Sequence, residues 1–249
     1  FHKCLIGLEK ALLHYSSGVV CLTDASVRYL LMTYPIQMRN KLTYVIPTCV
    51  DLNKFLHVEY PKNQIVVGCI GTLLSGWFLR DWLCSFFDAL SLIDPSIRFE
   101  LISREPPKAI LSSLRCNSDW LDRLHILSSS PAAMPNHLGR HCVSVMFYAG
   151  GAISELGRCP TRLAEVLACG RPVVINSGVG DVEQIVLSNN VGVLATGVSR
   201  QQMSECAFKL LSLLNDPDLS NRCRTTAEKL FSLSRANTSY INLYQHILN

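Results

Sequence analysis

Short apolar runs alternate with helix-patterned segments along most of the chain. Six continuous apolar runs, each of strand length, follow one another between residues 64 and 195. The segments between them carry apolar residues three and four positions apart, which predicts amphipathic helices. Uninterrupted Val- and Ile-rich runs are typical of parallel strands that are covered on both faces. The pattern predicts an α/β fold, a doubly wound parallel sheet, with strands at 64–70, 98–102, 125–127, 142–148, 172–176 and 191–195.

Residues 1–57 precede this sheet and hold only two further strand-and-helix units, too few for a complete domain. Their strands are predicted at 18–23 and 42–46, and Asp24 is the expected N-cap of a helix at 25–34. We therefore expect residues 1–57 to be the remnant of a first domain with its linker, residues 58–235 to form the second domain, and residues 236–249 to form a closing helix. Because the sequence starts with Phe1 rather than Met and its first residues look like the middle of a domain, we expect a fragment or a mature piece of a longer protein.

The composition excludes several classes of protein. Hydrophobic residues make up 49% of the chain and charged residues 17%, with a formal net charge of +4. Such a chain has ample apolar surface to bury, which argues against a disordered protein, and its weak positive charge argues against a nucleic-acid binder. The eleven cysteines are odd in number and form no C-x-x-C pair, which favours reduced thiols over a disulfide framework or a zinc site.

The loops that follow the strands are where chemistry is expected, because ligands of open parallel sheets bind beyond the carboxyl ends of the strands. The first such loop, at 71–76, reads GTLLSG. Gly71 permits a close backbone approach to a ligand, and Thr72 and Ser75 offer hydroxyl groups. The local sequence alone favours the other interpretation, an ordinary glycine turn.

A second candidate is the loop at 149–160 together with the helix that it enters, predicted at 161–169. Arg158 and Arg162 flank the start of this helix, whose positive dipole end adds to their charge and suits a phosphate or pyrophosphate. Thr161 and Glu165 lie on the same face, one turn apart. The competing interpretation is a surface pair between Arg162 and Glu165, worth about 0.2–0.5 kcal/mol. The sequence leaves both open.

Two further motifs have structural explanations. The partial G-x-G at 178–180 leads into Asp181, which is expected to cap a short helix together with Gln184. The D-x-D at 216–218 is explained by Asp216 as a cap and Pro217 as the first helical residue. The histidines show no metal-ligand spacing.

Four segments, taken in order, resemble glycosyltransferase family 4 of the GT-B enzymes. Residues 43–55 resemble the family's crossover between domains, with Thr48 and Cys49 in place of Asn-Gly. Residues 66–73 resemble the first strand and glycine loop of the donor domain. The most specific segment is 160–174, PTRLAEVLACGRPVV, and residues 181–193 resemble the stretch that follows it in the family.

The resemblance implies two Rossmann-like domains that face each other across a cleft. Residues 58–235 would bind the nucleotide sugar, and the last helix would return toward the first domain. By position, Glu165 would bind the donor ribose, the amides of Gly71 and Thr72 the diphosphate, and residues 128–131 would lie near the base. The expected donor-binding residues are Gly71, Thr72, Arg158, Thr161, Arg162 and Glu165; the catalytic residues are unknown.

The activity that the resemblance implies is transfer of a hexosyl or related sugar from a nucleotide sugar to a glycan or lipid-linked acceptor, with retention, in polysaccharide biosynthesis. The nucleotide sugar would be a substrate, and neither a metal nor a tightly bound cofactor is expected. A cytoplasmic location is implied, with peripheral association at the inner face of the membrane as a further expectation. The fragment alone is expected to be inactive.

Two departures from the family pattern keep other functions open. The first glutamate of the family's pair would fall at Gly157, and Glu155 is two residues away. The basic residues that often follow the family's first glycine loop are also absent, since no Lys or Arg stands between Gly71 and Arg80. Arg80 and Arg162 are the candidates to supply this positive charge. A degenerate binding or regulatory module is therefore one alternative. A Rossmann oxidoreductase is another, although no complete G-x-G-x-x-G is present.

Overall fold

The centre of the molecule is a six-stranded sheet in which every strand is parallel to its neighbours. In the computed structural model, residues 2–59, 64–114 and 119–249 are described. Residues 51–63, whose low hydropathy predicts a connector between the two parts of the chain, lie partly outside these ranges. All six predicted strands are confirmed, each within a few residues of its expected ends. They are β3 (Val66–Ile70), β4 (Arg98–Ile102), β5 (Leu124–Leu127), β6 (Val143–Met146), β7 (Val173–Asn176) and β8 (Gly192–Ala195).

The strand order is β5-β4-β3-β6-β7-β8, which is the doubly wound arrangement that the pattern predicts. The chain runs outward from β3 to β5, then returns to the middle of the sheet and runs outward again from β6 to β8. The order reverses between β3 and β6, and this switch point is where open α/β sheets bind ligands. The helices of this part are α4 (Arg80–Ile93), α5 (Pro107–Ser113), α6 (Met134–Arg140), α7 (Thr161–Ala168), α8 (Val182–Ser188), α9 (Arg200–Leu214) and α10 (Leu219–Phe231).

Helices cover both faces of the sheet and enclose an apolar core on each side. On one face Phe86 of α4 packs edge-on against Phe147, with ring centroids 5.8 Å apart. On the other face the predicted apolar stripe of α7, which includes Leu163 and Leu167, is fully buried. The opposite side of α7 is also covered at its end, because Ala168 and Cys169 are buried in the same cluster as residues of α10.

The first part of the chain forms a separate two-stranded parallel sheet. Its strands are β1 (Gly18–Cys21) and β2 (Leu42–Val45), as predicted within two residues. The closing helix α11 (Leu233–Leu248) lies against this part, and the side chains of Tyr44 and His246 are 2.8 Å apart. This helix begins before the expected Ala236, because the Ser232 hydroxyl accepts the Arg235 amide. The remaining helices are α1 (His2–Tyr15), α2 (Asp24–Thr33) and α3 (Pro35–Met38).

Three expected helix caps are wrong, although the helices exist. Thr23, not Asp24, caps α2, because its hydroxyl accepts the Ser26 amide at 3.1 Å. The helix predicted from Pro217 begins at Leu219, because the Asp216 carboxylate accepts the amide of Asp218 and pairs with Arg222 instead.

Within the described residues, no helix is both long and apolar enough to cross a membrane.

The third wrong cap shows how the two parts of the chain are joined. Asp181 precedes α8 but makes no side-chain hydrogen bond to that helix. Its carboxylate instead accepts the backbone amides of Asp24 and Ala25, at 2.5 and 3.0 Å, in the first turn of α2. Arg28 adds an ionic contact at 3.7 Å. A carboxylate at a helix start satisfies free amides and complements the positive end of the helix dipole.

We expect Asp181→Ala to lower the free energy of unfolding by about 1–2 kcal/mol, the usual cost of a lost helix cap. Urea denaturation of the variant measures this loss. Asp218→Ala is the matched control, because Asp218 also stands at an N-cap position but caps nothing with its side chain. Equal midpoints for the two variants would contradict the cross-chain role of Asp181.

Candidate functional site

The two predicted site loops lie side by side at the switch point between β3 and β6. The loop after β3 runs to α4, and the loop after β6 runs to α7. They are joined by main-chain hydrogen bonds from Leu79 to Phe147 at 3.0 Å and from Ala149 to Trp77 at 2.7 Å. The two loops therefore form one continuous surface beyond the carboxyl ends of the central strands.

Two adjacent cavities, of about 340 and 300 Å³, open on this surface. Gly71, Thr72 and Arg162 line both of them, so the cavities are two halves of one cleft. The first, which we call the upper cavity, is also lined by Ser103, Arg104, Glu105, Ser129 and Pro131. The second, which we call the lower cavity, is also lined by Trp77, Tyr148, Arg158, Pro160 and Thr161. Five of the six expected donor-binding residues thus share a cleft, and part of the segment expected near the base lines its upper half.

Gly71 contributes space to the cleft. Its φ of +153° favours glycine, and a Cβ built there would meet no atom within 4 Å. The Gly71 amide donates to the carbonyl of Ile102 at 3.1 Å. This hydrogen bond between the ends of β3 and β4 occupies the Gly71 amide, and the binding of a diphosphate by Gly71 stays a prediction.

Glu105 occupies two amides further along the same loop, a contact that no local sequence pattern predicts. Its carboxylate accepts the amides of Leu73 at 2.6 Å and Leu74 at 3.0 Å, and the hydroxyl of Ser103 at 3.0 Å. Arg80, a candidate for the missing positive charge, donates to the Leu73 carbonyl at 2.9 Å and lines neither cavity. Arg80 and Glu105 therefore hold the loop in place.

Arg158 is fixed at the wall of the lower cavity. Its guanidinium lies 5.0 Å from the centre of the Trp77 ring and donates to the carbonyl of Ala149 at 3.0 Å. Glu155 adds an ionic contact at 3.7 Å. A stacked and hydrogen-bonded arginine loses little conformational entropy when it binds a further anion.

Arg162 stands in the first turn of α7, which no side chain caps. It pairs with Glu165 one turn later, as the competing interpretation of the sequence predicted. The side chains are only 31% and 16% exposed, so this is a partly buried pair. Burial raises the pKa of the Glu165 carboxyl, and the charge of Arg162 opposes that rise. Glu165 lines neither cavity directly but lies behind Arg162, and its ribose-binding role stays a prediction.

No carboxylate stands at position 157, where the first glutamate of the family's pair is expected. Gly157 stands there, and a Cβ built on it would make only ordinary contacts, at 3.8 Å or more. The nearby Glu155 is held by the Ser154 hydroxyl at 2.8 Å, and this hydrogen bond lowers the pKa of its carboxyl. Glu155 lines neither cavity.

Several residues of the cleft were not predicted from the sequence, among them Trp77, Arg104 and Glu105. Arg104 and Glu105 lie two and three residues beyond the end of β4, so the rule that strand ends carry chemistry could have found them. In the part of the chain that the structure describes, no cluster of His, Cys, Asp and Glu could hold a metal ion.

Comparisons with known proteins show what this fold is similar to. No protein-family model and no curated protein sequence matches the chain. Sucrose-phosphate synthase from Thermosynechococcus elongatus matches 99% of this chain with a TM-score of 0.71 and 18% identity. Anabaena Alr3699/HepE in complex with UDP-glucose matches 99% with a TM-score of 0.70 and 19% identity. WaaG, a glycosyltransferase involved in lipopolysaccharide biosynthesis, matches 95% with a TM-score of 0.65 and 15% identity.

These structures are GT-B glycosyltransferases, and the chain has their α/β, Rossmann-like fold. It spans 62% of the length of the sucrose-phosphate synthase chain, 68% of HepE and 66% of WaaG. The predicted fold class is therefore confirmed. Membership of glycosyltransferase family 4 and the domain boundaries at residues 57 and 235 stay predictions.

Proposed function

We propose that this chain is the nucleotide-sugar-binding part of a glycosyltransferase. The enzyme would transfer a hexosyl or related sugar to a glycan or lipid-linked acceptor, with retention of configuration. The observation that carries the proposal is the cleft at the switch point, where Thr72, Arg158, Thr161 and Arg162 come together. The UDP-glucose complex of HepE, a structure of the same fold, supports a nucleotide-sugar donor.

The charge of the lower cavity suits a diphosphate. Its described lining contains two arginines, two threonines and a serine but no carboxylate. The uncapped start of α7, with Pro160 and Thr161 in the wall, adds the positive end of a helix dipole. Fixed cations and amides of this kind stabilise negative charge that develops on a departing diphosphate. The upper cavity then receives the nucleoside, next to Ser129 and Pro131.

The remaining proposals concern the whole protein. The donor is a substrate and no resident cofactor or metal is needed, because arginines and helix amides supply the positive charge. The enzyme would act in the cytoplasm, with peripheral association at the inner face of the membrane, in polysaccharide biosynthesis. The acceptor and the catalytic groups would be held by a facing domain, so we expect the present chain to bind the donor without turnover.

A degenerate binding or regulatory module is the second candidate function. Gly157 at the expected glutamate position favours it, because the absent carboxylate leaves the sugar ring without that contact. Such a module would bind the nucleotide but would show no preference for the nucleotide sugar over the free nucleoside diphosphate. Calorimetry with UDP-glucose and UDP distinguishes the two candidates.

Glu165→Ala tests the proposed donor site. We expect about tenfold weaker binding of UDP, because hydrogen bonds to a charged group are worth about 1.5–3 kcal/mol. Inorganic pyrophosphate lacks a ribose, so its affinity should change less. Isothermal titration calorimetry with UDP-, GDP- and ADP-sugars, with NAD as the oxidoreductase comparison, gives the measurements.

Glu205→Ala on α9 is the control for a lost surface carboxylate, since Glu205 is exposed and lines neither cavity. Tight binding of NAD together with no binding of any nucleotide sugar would contradict the proposed function. If UDP bound normally to Glu165→Ala, only the ribose role of Glu165 would be lost.

A further inference from the structure

Arg104 is an exposed arginine in the wall of the upper cavity. It stands two residues beyond the last residue of β4, next to the switch point, and it shares the cavity wall with Thr72 and Arg162. Within residues 2–59, 64–114 and 119–249, its side chain makes no hydrogen bond and no ion pair. Arg162 and Arg158, in contrast, are both engaged by glutamates.

The backbone on both sides of Arg104 is firmly held. The Ser103 amide donates to the Leu127 carbonyl at 3.0 Å, which ties the end of β4 to β5. The Glu105 carboxylate binds the loop after β3 through Leu73 and Leu74. A side chain presented from a fixed backbone loses only its own rotamer freedom on binding a ligand, which lowers the entropic cost.

Glu105 forms no ion pair with its neighbour Arg104, because its carboxylate oxygens are turned to other groups. A carboxylate has about four acceptor positions, and those of Glu105 serve two backbone amides and the Ser103 hydroxyl. Glu105 is the sole carboxylate in the described lining of the upper cavity. The guanidinium of Arg104 therefore has no ion-pair partner among the described residues and can bind an anion at this cavity, beside Thr72 and Arg162, which line the lower cavity as well.

We propose that Arg104 binds the phosphate nearest the nucleoside, where Thr72 and Arg162 line both cavities, and that Glu105 positions Arg104 by fixing the backbone across β3 and β4. This inference rests on the proposed function and adds a binding residue to the same cleft. A guanidinium matches a phosphate with two parallel hydrogen bonds, which an ammonium group cannot reproduce. Arg104 thereby supplies the charge that the loop after β3 lacks.

The test compares Arg104→Ala, Arg104→Lys and Arg98→Ala in the full chain. Arg98 begins the same strand and is exposed at its opposite end, so Arg98→Ala removes an equal charge far from the cleft. We expect Arg104→Ala to lower the affinity for UDP and for inorganic pyrophosphate about tenfold. The affinities of Arg104→Lys should lie between those of Arg104→Ala and the parent chain, and Arg98→Ala should bind both probes as tightly as the parent chain. Calorimetry at low and high salt should show a smaller salt dependence for Arg104→Ala.

The outcomes separate this inference from the function on which it rests. Unchanged affinity of Arg104→Ala for both probes, with weakened affinity of Arg162→Ala, would overturn the role of Arg104 and leave the proposed function standing. Equal losses in Arg98→Ala and Arg104→Ala would show a general charge effect and would also overturn it. Absence of UDP binding by the parent chain would contradict the proposed function and the inference together.

Discussion

Arg162→Ala should weaken the binding of UDP by about 30- to 100-fold, the largest loss expected for any single site residue. Among the residues that the structure describes, Arg162 is the one arginine that lines both cavities, and the substitution removes it. It also leaves the half-buried carboxylate of Glu165 without its partner, so that an unpaired negative charge lies next to the diphosphate site. Isothermal titration calorimetry measures the change directly.

The double variant Arg162→Ala/Glu165→Gln separates these two causes. Because glutamine removes the uncompensated charge, we expect it to recover part of the affinity that Arg162→Ala loses. Arg98→Ala again controls for the loss of a positive charge from the chain. If Arg162→Ala bound UDP with an affinity within twofold of that of the parent chain, the result would contradict this prediction and would mean that the diphosphate binds elsewhere.

Gly68→Ala should lower the free energy of unfolding by about 3 kcal/mol, the upper end of the usual cost of overpacking a core and a large part of the stability of an ordinary domain. Gly68 lies in the central strand β3, and a Cβ built there would sit 2.0 Å from Nδ1 of His141. The His141 ring is fully buried and contacts Glu100 at 3.0 Å through Nε2. The ring cannot move away without losing that contact and opening the packed core. Chemical denaturation followed by circular dichroism gives the free energy of unfolding.

Gly7→Ala is the matched control for this prediction. Gly7 lies in α1, and a Cβ built on it meets nothing within 4 Å, so alanine should stabilise that helix slightly. The double variant Gly68→Ala/His141→Ala should recover part of the stability, because the ring that clashes is gone. Equal stability of Gly68→Ala and the parent chain would contradict the packing of His141 against β3.

The strands were predictable because each is a continuous apolar run that the sheet buries, as Val143–Met146 shows. Short helices were harder to predict: α6 begins with Met-Pro and contains Gly139, so it lacks the pattern of a longer amphipathic helix. The 3₁₀ turn at Asp119–Arg123 and α3 were missed for the same reason, because each spans only about one turn.

Local rules failed where a side chain acts far away in the sequence. Asp181 follows the rule for a helix cap, but its carboxylate caps a helix 157 positions earlier. Glu105 likewise binds amides 32 and 31 positions earlier, which no local pattern encodes. The site loops themselves were predictable, since strand ends and glycines mark them. Which of their amides remain available to a ligand depends on these long-range contacts.

A crystal structure of the chain with UDP tests the central claim most directly. Our account predicts the diphosphate in the lower cavity, within hydrogen-bonding distance of Thr72, Arg158 or Arg162, and the uracil toward Ser129 in the upper cavity. Density for UDP at a different surface, such as the cavity of about 450 Å³ beside Asp88 and Arg200, would contradict it. So would an empty cleft at a UDP concentration that saturates the protein in solution.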